Sequence, residues 1–128
     1  MKTLGIGVDI IDNLRIKKSI SNKNFINRIF SSIEINNSKK TKNKINFFSK
    51  RFAAKEAFSK ALGTGFRKGL NFNDISIINN KYGKPSILVD NKIKSFFQKR
   101  FKTKNVNVFL SLADENKNSI AFVLINKK

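Results

Sequence analysis

The sequence predicts an α+β fold in which a largely antiparallel sheet packs against one long helix and several shorter ones. Three observations carry this. A β-branched, apolar run opens the chain, a helix-spaced apolar repeat with three alanines in close order fills the middle, and two further β-rich runs close it, without the strict strand–helix alternation of a parallel sheet. With 128 residues, one domain spanning 1–128 is expected, large enough to bury roughly two-thirds of the surface its unfolded form exposes.

Each element follows from local pattern. "TLGIGVDII", residues 3–11, is most simply a buried strand. Asp12 or Asn13 can then cap a short basic helix carrying Arg15, Lys17 and Lys18. Phe25, Ile26, Ile29, Phe30 and Ile33 have helical spacing, whereas residues 36–44 are polar enough for a loop or the solvated start of the next helix. From Ile45 to Leu62 the pattern is unambiguous, with Phe48, Phe52, Ala53, Ala54, Ala57, Phe58 and Ala61 inward and Gly63 at the C-terminal stop. "GTGFRKGL" reads as a glycine-punctuated loop, and "DISIINN" and "PSILVD" as strands flanking the turn at residues 79–85. Residues 91–101 form an amphipathic helix with Ile93, Phe96, Phe97 and Phe101 inward. Strands at 106–112 and 119–125 complete the fold.

Composition excludes whole classes of chemistry. There is no Cys and no His, so disulfide frameworks, thiolate metal sites and imidazole-based acid–base catalysis are all absent. Carboxylates, lysines, hydroxyls and backbone groups remain. No apolar stretch approaches the roughly 20 residues of a membrane helix, so a cytoplasmic soluble protein is expected. The formal charge of +19 favours acidic partners. The same basicity, joined to heavy use of Lys, Asn, Ile and Phe, is also what AT-rich coding produces at tolerant surface positions.

Against that basic background Glu56 stands out. It lies inside the long helix with Lys55 beside it and Lys60 four residues on, so Glu56 and Lys60 share a face. An ordinary i,i+4 ion pair is one reading. Asp9 offers another, because a carboxylate inside the apolar run 6–11 needs a cation or donor to meet it, unless it merely caps the following helix. Two carboxylates on different elements suit Mg²⁺, which takes oxygen ligands, keeps several waters and is commonly shared with a substrate phosphate.

The motifs "GIGVDIIDNLRI", "KRFAAKEAFSKALGTGF", "NNKYGKPSILV" and "VFLSLADENKNSIAFVLI" resemble, in order and spacing, the signatures of the bacterial holo-acyl-carrier-protein synthases, small phosphopantetheinyl transferases. The resemblance spans the chain except residues 25–44. It implies Mg²⁺-dependent transfer of 4′-phosphopantetheine from coenzyme A to a serine of apo-acyl carrier protein, giving holo-carrier for fatty acid biosynthesis and adenosine 3′,5′-bisphosphate. By the same resemblance Asp9 and Glu56 hold the metal against the pyrophosphate. Lys60 contacts the pyrophosphate and can protonate the leaving group. Lys55 and the loop Gly63, Thr64, Gly65 and Phe66 line the nucleotide side, and Lys84 and Pro85 border it, where the plain alternative is a hairpin turn. The serine proton goes to Glu56 or to a metal-bound water.

Arg15, Lys17 and Lys18 match the helix that docks the acidic carrier, where a solvated basic face is the plain alternative. The family also forms homotrimers with active sites between subunits. One departure is visible. Many relatives read Ser-Leu-Ser-His where this chain has Ser111-Leu-Ala-Asp114. Two other classes stand beside the enzyme: a small basic RNA-binding protein using the 13 Phe as stacking platforms, and a non-catalytic carrier-protein binder. No basic–aromatic RNA motif is present, and the Phe fall mostly at core-spaced positions.

Overall fold

The computed structural model describes residues 2–66 and 69–128; Arg67 and Lys68 of the glycine-punctuated loop lie outside the described residues. Strand β1 (Lys2–Asp12) leads through helices α1 (Asn13–Ser19), α2 (Lys23–Ile29) and α3 (Ser32–Ser38) to the long helix α4 (Lys44–Leu62). A single 3-10 turn (Phe72–Asp74) precedes the short strands β2 (Ile77–Asn79) and β3 (Pro85–Ile87). Helix α5 (Asn91–Phe101) and strands β4 (Val106–Asp114) and β5 (Asn118–Lys127) follow. Every strand pair is antiparallel. β1, β5 and β4 form one sheet with β5 central, and β2 and β3 form a separate two-stranded hairpin.

The helix α4 is buried on nearly every side because it runs between the β1–β5 face and the short helices α1 and α3. That close approach explains the two glycines of β1. A Cβ on Gly5 would overlap the Ala61 carbonyl, and one on Gly7 would overlap the Ala57 carbonyl. Small residues on both partners thus let the backbones of helix and strand meet. The aromatic side chains fill the rest: Phe25, Phe52, Phe72 and Phe66 succeed one another in ring contact, and Phe30 packs on Phe48 at 4.6 Å.

Three details differ from the sequence expectation. Strand β1 is buried on one face only: Ile6, Val8 and Ile10 are 60%, 54% and 61% exposed. The polar stretch after Ile33 continues as helix to Ser38, because Ser31 caps α3 and Glu34 reciprocates by accepting from the Ser31 N–H at 3.0 Å. Finally, "DISIINN" becomes strand only at Ile77. The carbonyl of Ile75 is taken by Lys55 and the hydroxyl of Ser76 donates to Ser31, so this part of the run is tied to the helices, with a single cross-strand bond from Leu88 N–H to the Ser76 carbonyl.

Candidate active site

Strand alternation puts Gly5, Gly7 and Asp9 on the face of β1 that meets α4, and the next turn of that helix past Ala57 carries Lys60. The Lys60 ammonium donates to Asp9 Oδ1 at 3.1 Å and to the Val8 carbonyl at 3.0 Å. This overturns the ordinary i,i+4 reading of Glu56 and Lys60, since the lysine crosses to the strand. It also overturns a capping role for Asp9: the cap of α1 is Asp12, whose side chain accepts from Leu14 N–H.

Glu56 lies close enough to Asp9 to feel its charge. Burial, and then repulsion from Asp9, push the Glu56 carboxyl above the usual glutamate range, against the attraction of Lys60 and Arg15. Two like charges in a half-buried setting require a cation. Asp9 Oδ2 is buried and accepts no hydrogen bond, although Oδ1 is met by Lys60. An orphaned oxygen on Asp9, together with a second carboxylate that feels the Asp9 charge, fits Mg²⁺, which needs only one or two protein carboxylates. Among the described residues no group of three or more His, Cys, Asp or Glu could hold a metal. Asp9 and Glu56, whose charges meet here, are the residues that would hold such an ion.

Lys55 corrects the sequence reading. Instead of lining the nucleotide side it is fully buried, pairing with Glu34 at 2.6 Å and donating to the carbonyls of Ile29, Phe72 and Ile75 at 2.7–2.8 Å. Its three N–H groups are shared among four protein oxygens, so none remains for a phosphate. Burial lowers its pKa, and Glu34 opposes that shift. Glu34 also accepts from the backbone N–H of Ile77 at 3.1 Å, tying α3, α4 and the approach to β2 into one polar knot. Sequence reasoning missed Glu34. The signal was there, because Ser31-x-x-Glu34 before an apolar helix is a capping-box pattern.

The remaining expectations fall on separate elements. Gly63 ends α4 in the left-handed conformation (φ 78°), and Gly65 is left-handed too (φ 67°), as a tight exit over the helix end requires. The Thr64 hydroxyl donates to the Gly65 carbonyl. Lys84 and Pro85 stand in a hairpin closed by hydrogen bonds from Asn80 N–H to the Lys84 carbonyl and from Lys84 N–H to the Asn80 side chain; none of these bonds reaches Asp9, Glu56 or Lys60. Arg15, Lys17 and Lys18 are exposed on α1, with Leu14 exposed beside them and the Arg15 charge felt at Glu56.

A second basic region escaped the sequence reading. Arg51 lies over the Phe47 ring and donates to Asn79, and with Lys50, Asn46 and Thr41 it lines a cleft on the N-terminal half of α4. Asp114 anchors the same turn, accepting from Asn46 and pairing with Lys50 at 3.7 Å. This carboxylate is occupied in holding α4 to β4. Asp114→Ala is accordingly expected to cost transfer no more than about tenfold, and steady-state kinetics beside Glu56→Gln would check it.

Comparison with known proteins bears on this geometry. Residues 5–122 match the model of the 4′-phosphopantetheinyl transferase superfamily. A holo-[acyl-carrier-protein] synthase of Pelagibacter ubique is 62% identical over 128 residues, covering all of both chains. One from Clostridium botulinum is 45% identical over 122 residues, 94% of this chain and 95% of that protein. The crystal structure of holo-[acyl-carrier-protein] synthase from Neisseria meningitidis superimposes with a TM-score of 0.88 at 33% identity, covering 98% of this chain and 99% of that one. The Bacillus anthracis synthase, solved in complex with CoA (3′,5′-ADP), gives 0.82 at 33% identity with full coverage of both chains. The carboxylate pair, the glycine-lined helix contact and these likenesses agree: this chain belongs to the 4′-phosphopantetheinyl transferase superfamily.

Proposed function

We propose that this chain, acting as one domain over residues 1–128, transfers 4′-phosphopantetheine from coenzyme A to a serine of apo-acyl carrier protein. The single observation that carries the mechanism is the approach of Asp9 and Glu56 across the β1–α4 contact, with one carboxylate oxygen unanswered. Asp9 and Glu56 would hold Mg²⁺, which when bound offsets the negative charge of the pyrophosphate. The serine oxygen attacks the phosphorus bearing the pantetheine arm, and the bond to the 3′-phosphoadenosine phosphate breaks. Lys60, exposed and aimed at the Asp9 edge, is placed to meet the pyrophosphate and to give its proton to that leaving group. Glu56 is the carboxylate that would take the serine proton. Gly63, Thr64 and Gly65 border the nucleotide from the end of α4.

The acidic carrier docks on α1. Because the Arg15 charge reaches Glu56, its reversal disturbs two functions, whereas Lys17 and Lys18 isolate docking. Lys17→Glu/Lys18→Glu is expected to raise KM for the carrier about tenfold and leave KM for coenzyme A unchanged. Arg15→Glu should raise KM for the carrier and lower kcat as well. Steady-state kinetics at several salt concentrations separate these, since screening weakens only the docking term.

The enzyme works as a homotrimer in this reading, in the cytoplasm. Support for association is the open sheet face, where Val8 pairs with Phe122 and Ile10 with Ile120, all exposed, with Ile6 and Phe109 beside them. Sedimentation equilibrium is expected to give three times the chain mass. Among the described residues no helix is long and apolar enough to cross a membrane. An RNA-binding role is disfavoured by the phenylalanines, which pack on one another or lie on the apolar sheet face. Incubation with apo-acyl carrier protein, coenzyme A and Mg²⁺, followed by intact-mass measurement, tests the activity.

A further inference from the structure

Because Asp12 takes the cap of α1, the side chain of Asn13 is left for another task. It is buried, as is Ile16 three residues on, and the two share one face of the helix. Ile16 joins the apolar core, whereas Asn13 meets backbone. The Asn13 NH₂ donates to the carbonyls of Glu115 at 3.0 Å and Asn116 at 3.3 Å, and its Oδ1 accepts from the buried Ser119 hydroxyl at 2.8 Å. The backbone N–H of Asn13 adds a bond to the Lys117 carbonyl at 2.8 Å. One helical residue is thus bolted to the turn between β4 and β5. That turn is closed on itself, since Glu115 N–H donates to the Asn118 carbonyl and the Asn118 NH₂ donates to Glu115 Oε1.

The bolt matters because α1 spans seven residues, well short of the roughly 12–15 at which an isolated helix holds in water. Its placement comes from what it is fastened to. Apolar burial at Ile16 has no preferred direction and leaves the helix free to rock about that contact. Hydrogen bonds are directional, so the amide of Asn13 fixes the rotation. The outer faces of the same two turns carry Leu14, Arg15, Lys17 and Lys18, all exposed, and the Arg15 charge reaches Glu56. A rotation of α1 would therefore move the docking residues relative to the reacting carboxylates.

We propose that Asn13 is a positioning residue for the carrier: it locks the rotation of α1 against the β4–β5 turn and so sets where a docked carrier presents its serine to Asp9 and Glu56. The inference rests on the transferase reading above, with the carrier docked on α1. It adds no covalent step, because every bond of the Asn13 amide runs to a protein group.

Asn13→Leu keeps the side-chain volume and the backbone bond to Lys117 and deletes the three side-chain bonds. Steady-state kinetics with apo-acyl carrier protein and with coenzyme A would be measured beside binding of adenosine 3′,5′-bisphosphate, with far-UV circular dichroism and a thermal melt to establish folding. For the carrier, kcat is expected to fall about tenfold and KM to rise about threefold, as misplacement of a reacting group requires. KM for coenzyme A and binding of the bisphosphate should change less than about twofold. Should Asn13→Leu fail to fold, insertion of two glycines between Asn116 and Lys117 carries the same expectation, because it loosens the exposed turn and leaves Asn13 in place. Parental carrier kinetics in a folded variant, or equal losses for carrier and coenzyme A, would overturn the inference while the transferase reading stands. No transfer by the unmodified chain would remove both.

Discussion

Glu56→Gln and Asp9→Asn are each expected to lower transfer by about a thousandfold or more while leaving the fold intact. The magnitude follows from removing a preorganised charge at the place where phosphoryl chemistry needs it. The direction of the stability change makes the prediction specific. Burial and Asp9 raise the Glu56 pKa on folding, so its ionised form costs stability at every pH above the folded value, and that cost disappears as pH falls through the window down to the unfolded value. Metal-free Glu56→Gln should therefore melt no lower than the parent at neutral pH, and any advantage should shrink on acidification. Thermal melts at neutral and mildly acidic pH, set beside transfer rates, check both. A residue kept for packing would lose stability and activity together.

The second large effect lies at Glu34 and Lys55. Their pair is fully buried, and each partner also satisfies backbone groups from segments far apart in sequence. Removing one partner strands the other charge and several carbonyl or N–H groups without water. Glu34→Ala is expected to destabilise the fold by about 3–5 kcal/mol, a large part of the 5–15 kcal/mol typical of a whole domain. Lys55→Ala should behave alike. Replacing both by apolar residues of similar volume should cost less than either single change. Chemical denaturation measures the difference. Were Lys55→Ala to fold with parental stability and lose only coenzyme A affinity, the buried assignment of Lys55 would be wrong.

These two sites also mark what the sequence could and could not convey. Asp9 was legible because an unpaired carboxylate in an apolar run is costly, and Glu56 because it breaks the pattern of the longest helix. That they meet was not legible from spacing; it depends on Gly5 and Gly7 admitting the backbone of α4, a feature visible only when both elements are in place. Lys55 misled for a related reason. Sequence position puts it next to Glu56, but about 100° of helical rotation turns its side chain away from that carboxylate and into the space between α2, α3 and the segment before β2. The open face of β1 was hidden because an apolar strand reads the same whether its second face meets a helix or another copy of the chain.

The most direct test of the account is intact-mass measurement of apo-acyl carrier protein after incubation with coenzyme A, Mg²⁺ and either the unmodified chain or Glu56→Gln. The carrier should gain one phosphopantetheine with the unmodified chain, lose that gain when Mg²⁺ is chelated, and stay unmodified with Glu56→Gln. Full modification by Glu56→Gln would contradict the central claim that Asp9 and Glu56 together make the reacting site.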